Sequence, residues 1–361
     1  MLNADDIAHI ESTVVLLGLG IGLVLGWISR YSNFCTVGAI SDLYASGDQS
    51  RFRMWMLAIA IAIIGTQALI LGDLIAIQDS FYISQPLYWL SYILGGLVFG
   101  FGMVLASGCG GRNLVRIGGG SLKAVVVFLV MAVFAYMTMR GIFGVIRVAS
   151  IEKVALSLGT RQDLPSLLAQ PRAVVSGLVA LVLLAYVLMG AELRRRPRLI
   201  AGGVVIGALV VAGWWVTGHI GFVAEDPNTL EARFLATNTR GVESLTFVAP
   251  LAYWLDLMMF WSDKSRGPTF SVATVTGVVL GAWIHALASK TFRWEGFVDR
   301  ADLVRHLVGG AMMGVGGVVA FGCTIGQGIT GVSLLALGSF IATAAIIGGG
   351  WLGLRWIERY A

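Results

Sequence analysis

"FGFGMVLASGCGGRNLVRIGGGS", residues 99–121, begins as an apolar helix and changes character halfway along. Glycines surround a single thiol, Cys109, and Arg112 and Arg116 follow it. A charge inside a membrane span is expensive and tends to mark a solute pathway. A segment built only to sit in lipid would need neither the guanidinium groups nor the glycines. The stretch therefore reads as a broken helix: an apolar helix stops, a thiol lies at the break, and a second helix starts beside it. On one continuous helix both arginines would share a face with Cys109. The competing reading is that each reaches back to a lipid head group.

The rest of the chain supports a membrane setting. Of 361 residues, 57% are hydrophobic and 12% charged, and the mean hydropathy is +0.84. A soluble domain carries about 25% charged residues. Apolar stretches close to the ~20 residues that cross a bilayer recur, as at 54–72, 173–191 and 199–216. The expectation is an all-α polytopic membrane protein, one integral transporter domain over 1–361. Spans are expected near 14–30, 54–72, 88–106, 122–139, 173–191, 199–217, 247–261, 271–288, 303–321 and 332–352, with short pieces at 36–47 and 110–118. Two polar insertions, 141–172 and 218–246, read as loops or surface helices. The net charge of +5 reads as basic loops that set orientation, not as a nucleic-acid surface. "RRRPR" (194–198) is placed in the cytoplasm, and Asp5, Asp6 and Glu11 favour an N-terminus outside it. Trp214, Trp215, Trp351 and Trp356 read as interfacial anchors.

Three cysteines stand in one kind of setting: "SNFCTVGAISDL" (32–43), "ASGCGGRNLVRIGGGS" (106–121) and "AFGCTIGQGITGVS" (320–333). In each an apolar helix ends, small residues flank the thiol, and a segment able to start a new helix follows. Helix N-termini present free N–H groups and partial positive charge, so such breaks suit an anion. The bland reading of one membrane cysteine is a small buried apolar residue. Three cysteines at three matching breaks, with none elsewhere, argue against it. Arg and backbone N–H alone would serve a hard anion; thiols are weak, polarizable partners, so the expected ion is soft and sulfur-bearing. No C-x-x-C occurs, and the four histidines are scattered, so no disulfide framework, metal site or cofactor is expected. No G-x-x-x-x-G-K-[ST] occurs either, so nothing points to direct ATP use.

An internal repeat organises the chain. Aligning Cys109 with Cys323 puts Gly95, Gly96, Gly100, Gly102, Ala106 and Gly108 on Gly309, Gly310, Gly314, Gly316, Ala320 and Gly322 without a gap, and Asn113 on Gln327. A weaker alignment pairs 22–35 with 277–294, Gly22 with Gly277 and Gly26 with Gly281. The halves expected from these are 14–139 and 270–352, with additional helices 173–261 between them. Their first helices are expected to run in opposite directions, as in transporters built from inverted repeats. Glycines four apart read as close helix packing.

These residues resemble the YeeE/YedE family of membrane proteins. The likeness is closest in 107–123, then in "FGCTIGQGITG" (321–331) and "SNFCTVGAISDL" (32–43), and extends to "SLTFVAPLAYWLDLM" (244–258) and "ALASKTFRW" (286–294). The resemblance implies an inner-membrane importer of thiosulfate or a related sulfur oxyanion in bacteria. It implies an hourglass of helices with a central constriction lined by Cys35, Cys109 and Cys323, which relay the ion by hydrogen bonds. It also implies a small cytoplasmic sulfur-carrier partner of the TusA/YeeD type. The chain departs from the family pattern at Gly111-Arg112 and in the long segment 141–172.

The expected substrate contacts are Cys35, Cys109, Cys323, Arg112, Arg116, Asn113 and Gln327, with interhelical hydrogen bonding the rival role for the two amides and for Gln67. Asp256 is a candidate for a coupling proton, against a role as partner of a nearby base. Two other classes stay open at this point. The thiols could serve a membrane sulfur-transfer enzyme or redox sensor, or the chain could be a channel or exporter for another small anion or a selenium species.

Overall fold

The computed structural model describes residues 3–77, 80–226, 230–263 and 266–360. The chain is an all-α polytopic membrane protein. Its helices are α1 Ala4–Tyr31, α2 Thr36–Ala45, α3 Ser50–Leu71, α4 Trp89–Leu105, α5 Gly110–Gly118, α6 Leu122–Arg140, α7 Ile142–Ala149 and α8 Leu164–Leu167. They continue with α9 Arg172–Leu188, α10 Ala191–Arg194, α11 Pro197–Trp215, α12 Ala249–Met259, α13 Phe270–Ala288, α14 Arg300–Val319 and α15 Leu337–Tyr360. Between α14 and α15 a further short helix spans 324–333, with a wide π turn at Gly326–Gly331. Two antiparallel ribbons, Pro86–Leu87 with Leu156–Ser157 and Phe222–Val223 with Arg233–Phe234, close surface segments.

Among the described residues seven stretches are long and apolar enough to cross a membrane: 5–45, 50–71, 89–118, 122–140, 197–220, 270–288 and 337–359. This is fewer than the sequence suggested. α9 falls just short in length. The stretch 247–261 is no span: only the 11 residues of α12 are helical, a rise of about 16 Å. Phe247 and Val248, which made that stretch look like a span, belong instead to a buried irregular segment over 241–248.

Small residues set the packing. α4 crosses α14 antiparallel, with Gly95 against Gly316 and Ala320, and Gly102 against Gly309. α4 runs parallel to α15, where Gly100 meets Ile346 and Gly350, and α14 runs parallel to α6, where Gly314 meets Met131 and Ala135. A Cβ on Gly100 would lie 2.1 Å from the Ile346 carbonyl oxygen, so the backbones touch there. α1 and α13 also run parallel: Gly18 meets Phe270, Gly22 meets Thr274 and Gly277, and Gly26 meets Val278 and Ala282. This corrects the expected opposite directions of these helices. Partners exchanged by an inverting two-fold axis must cross antiparallel, so the weaker alignment of 22–35 with 277–294 does not describe such a pair. The antiparallel neighbour of α1 is α11, with Ser32 beside Gly202 and Val14 beside Gly221.

The polar insertions are built into the body. Gln162 and Asp163 are fully buried. The Leu164 N–H donates to the Leu335 carbonyl at 2.9 Å, and the Leu337 N–H to the Gln162 carbonyl at 2.8 Å. Asp163 pairs with Arg172 at 2.5 Å. Trp214 is not an interfacial anchor: it is buried, and its indole N–H donates to Ser333 Oγ at 3.1 Å.

Candidate functional site

Each of α1, α4 and α14 stops in the same way. The N–H groups of Phe34, Gly108 and Gly322 donate back to the carbonyls of Ser29, Met103 and Gly317 at 3.0, 2.8 and 2.8 Å. The residue before each, Asn33, Ser107 and Phe321, holds φ of 53°, 55° and 57°. This is the left-handed helix stop that usually recruits glycine. The next residue is the cysteine. Cys35 and Cys109 are the N-caps of α2 and α5, and Cys323 stands directly before 324–333.

All three sulfurs therefore face the free amides of a new helix. Cys35 Sγ accepts from the Gly38 N–H at 3.3 Å, and Cys323 Sγ from the Gly326 N–H at 3.3 Å. The Arg112 N–H occupies the matching place beside Cys109, and the Phe247 and Ile325 N–H groups also face Cys323. Cys109 lies within electrostatic reach of both other thiols and faces Thr324, the neighbour of Cys323. The structure thus brings the three cysteines into one buried region, with side chains only 8%, 4% and 1% exposed in chain order.

Cavities lie to either side. Cys35, Cys109, Arg112, Gly111, Phe247 and Ile325 border a narrow space of about 10 Å³, close to the volume that holds one water molecule. On the other side Tyr82, Glu243, Thr246, Tyr253, Phe321 and Gly322 border a cavity of about 230 Å³. Thr246 Oγ1 is 3.9 Å from Cys323 Sγ. Tyr253 lines both this cavity and an open one of about 870 Å³, whose walls carry Arg140, Arg233, Arg240 and Arg266. Arg233 is paired with Asp226 at 3.0 Å and Arg266 with Asp256. Arg140 and Arg240 have no ion pair among the described residues and face the space as free cations.

The other expected contacts separate. Arg112 borders the narrow space, within reach of the Arg30 charge. Nearby acids are taken by other cations, Glu295 by Arg116 at 3.6 Å and Asp302 by Lys123 at 2.7 Å. Arg116 lies outside the space: it also donates to the Ala106 and Ser107 carbonyls at 3.5 Å each, capping the end of α4. Asn113 Nδ2 donates to the Gly108 and Cys109 carbonyls at 2.8 and 3.2 Å. Gln327 Nε2 donates to the Ala320 carbonyl at 2.7 Å, and its Oε1 accepts from Ser339 Oγ at 2.6 Å. These amides fasten the breaks. Gln67 does similar work, donating to the Ser333 carbonyl at 2.8 Å. Asp256 is engaged by Arg266 and by the Tyr136 hydroxyl at 2.7 Å.

Sequence reasoning missed the segment 241–248. It is buried without regular structure, and distant side chains satisfy its backbone. Thr217 Oγ1 serves the Glu243 carbonyl and amide at 2.5 and 3.2 Å, and Thr330 Oγ1 donates to the Leu245 carbonyl at 2.7 Å. Irregular backbone at membrane depth is tolerated where it lines a cavity.

A family model described as "Sulphur transport" matches residues 31–352, a range that holds all three breaks. The chain belongs to this sulphur transport family. Its members include relatives named "Thiosulfate transporter TsuA" in Escherichia coli (strain K12) and Spirochaeta thermophila. The first is 26% identical over 351 residues, covering 95% of this chain and 91% of the relative. The second is 25% identical over 354 residues, covering 95% and 99%. As a member of the family, the chain is a transporter of sulphur compounds and not an enzyme.

Proposed function

We propose that this protein imports thiosulfate across a bacterial inner membrane by non-covalent relay between Cys323, Cys109 and Cys35. The observation that carries the reading is the gathering of three buried thiols, each directly before a new helix, beside a narrow cavity that Arg112 borders and near a wide arginine-walled one. The ion enters the wide cavity on the side of the N-terminus, drawn by Arg140 and Arg240. It passes Thr246 and Cys323, then Cys109 and Cys35, and leaves past Arg112. At each break it is offered a polarizable S–H and helix N-terminal amides, none of them a strong fixed ligand. Permeation requires sites weak enough to release the ion. The acidic N-terminus and the 194–198 basic cluster lie toward opposite ends of α1, which supports an outward-facing wide cavity under the positive-inside rule. A TusA/YeeD-type carrier would receive the sulfur on the basic face.

The two halves of this pathway are related by inversion in our reading, as residues 1–140 and 197–360. Three pairs of contacts support this: α4 with α14 and α1 with α11 cross antiparallel, while α4–α15 mirrors α14–α6. In this scheme 244–248 is the counterpart of the Cys35 break, with Phe247 where a fourth thiol would stand. The hourglass follows from two inverted halves meeting at their broken helices.

Replacement of Cys35, Cys109 or Cys323 by alanine tests the relay. Each single variant should fold and lose at least roughly tenfold in thiosulfate uptake, the scale of losing one hydrogen bond to an ion. Normal uptake by all three variants, in cells that depend on thiosulfate, would overturn the mechanism. A mass increase on any cysteine after thiosulfate exposure would replace it by covalent sulfur transfer.

A further inference from the structure

The cavity next to Cys323 holds one carboxyl group that the relay does not use. Glu243 is 5% exposed and borders the 230 Å³ cavity together with Thr246. Its Oε2 accepts from the Asn238 N–H and from Thr239 Oγ1, both at 3.3 Å. Its Oε1 is buried with no hydrogen-bond partner among the described residues. No Lys, Arg or His pairs with it among the described residues. The two donors on Oε2 favour the ionised form, but burial opposes it more strongly, and no cation offsets that burial among the described residues. Tyr82 lies on one wall and Tyr253 of α12 on another, both within electrostatic reach of Glu243. Arg147 of α7 borders the cavity but is paired with Glu152 at 3.0 Å. Cys323 lies beyond Thr246. Thr217, just past the end of α11, and Ser271 of α13 do not titrate near neutrality.

We propose that Glu243 is a protonation gate in the anion's path, admitting the dianion when its carboxyl group carries a proton and opposing it when ionised. This rests on the reading of the thiol region as an anion pathway. In the proposed route an ion moving from the wide cavity to Cys323 passes this wall, since Glu243, Thr246 and Tyr253 line one cavity and Thr246 Oγ1 is 3.9 Å from Cys323 Sγ. An ionised carboxylate there repels a divalent anion through a medium that screens poorly. The neutral acid removes that repulsion and offers its O–H as a donor, as the thiols do. The proton comes from the water of the wide cavity and returns to it, with no other group oxidised or reduced. Burial without a cation raises the carboxyl to about 7, which puts the transition in the range where cells live.

The gate is tested with the full chain in proteoliposomes, measuring labelled thiosulfate uptake with equal pH on both faces. Wild-type uptake should fall about tenfold from pH 6 to pH 8, the span of one titration centred near 7. Glu243→Gln fixes the neutral form and should keep the pH 6 rate across the range. Infrared difference spectroscopy should show a carboxylic C=O band that titrates near neutrality in the wild type and is missing in the variant. A flat wild-type profile, a slope retained in E243Q, or no such band overturns the gate while leaving the thiosulfate reading intact. Absence of wild-type uptake at every pH overturns the thiosulfate reading and the gate's cargo together. Should E243Q not fold, Glu243→Asp keeps a titratable group and must keep a pH slope; a flat E243D profile overturns the gate.

Discussion

The Cys109 and Cys323 breaks share one backbone and differ in what surrounds it. Each follows a left-handed stop, at Ser107 and at Phe321, and each sulfur faces the amide three residues on. At Cys109 that amide belongs to Arg112, which borders the narrow space. At Cys323 it belongs to Gly326, where a Cβ would stand 2.5 Å from Thr246 Oγ1. A side chain cannot be accommodated at Gly326, and the polar wall there comes from 241–248, with Glu243 in place of a cation. The same device is thus used twice with opposite electrostatics, a fixed positive charge at one end and a titratable acid at the other.

Cysteine is also a weak choice for capping. Ser, Thr, Asp and Asn are the strong N-caps, and their oxygens would occupy the helix amides. A sulfur at 3.3 Å, as at Cys35 and Cys323, is a weaker acceptor than oxygen, so a passing ion can compete with it for those amides. The local loss of capping strength, about 1 kcal/mol per helix, is offset by burial of the breaks among glycine-packed helices.

The largest expected effect probes the acid end through stability. A carboxyl raised from its ordinary 4.5 to about 7 binds its proton more tightly in the folded state than in the unfolded one. Its contribution is complete below about pH 4.5, falls as pH rises, and is lost above about 7. The loss is on the order of 3 kcal/mol. Thermal unfolding in detergent should therefore show the wild type losing stability from pH 5 to pH 8 relative to Glu243→Gln. Parallel pH profiles for the two proteins would remove the asymmetry between the breaks.

The cation end is probed by its two arginines. Arg112→Gln should lower thiosulfate uptake roughly tenfold, matching one charge-assisted hydrogen bond, and leave the thermal midpoint unchanged. Arg116→Gln should do the reverse, because Arg116 caps the Ala106 and Ser107 carbonyls and pairs with Glu295. Its cost should be about 1 kcal/mol of stability, with uptake retained. If the two variants exchange these effects, Arg116 and not Arg112 contacts the ion.

This pair also shows how far the sequence could be read. The breaks were legible because their signals are local: an apolar run, glycines, one thiol, then a restart. Arg112 and Arg116 could not be separated, since a residue that faces the thiol and one that reaches back to cap the preceding helix share the same spacing. Asn113 and Gln327 were ambiguous in the same way, because an amide that holds a carbonyl at 2.7–2.8 Å looks in sequence like one that holds an ion. Glu243 was invisible because Thr217, Tyr82 and Tyr253 bury it from distant elements. The segment 247–261 passed for a span because composition does not tell an apolar helix from an apolar strand of irregular backbone held by side-chain hydrogen bonds.

The smallest expected effect concerns the stops themselves. A non-glycine residue in the left-handed region costs roughly 1–2 kcal/mol, and glycine gives back part of that through its larger entropy loss, roughly 0.5–1 kcal/mol. Ser107 is exposed, and its φ of 55° is one glycine adopts freely. Ser107→Gly should raise stability by less than about 1 kcal/mol, and uptake should not change, because the Ser107 carbonyl that Arg116 caps remains. Phe321 offers no equivalent test, since its ring packs on Tyr88 and Tyr92 at 5.4 and 5.7 Å. The strain at that stop is tied to the wall of the wider cavity. A fall in uptake by Ser107→Gly at unchanged stability would mean that the hydroxyl at this break, and not only the thiol, takes part in passage.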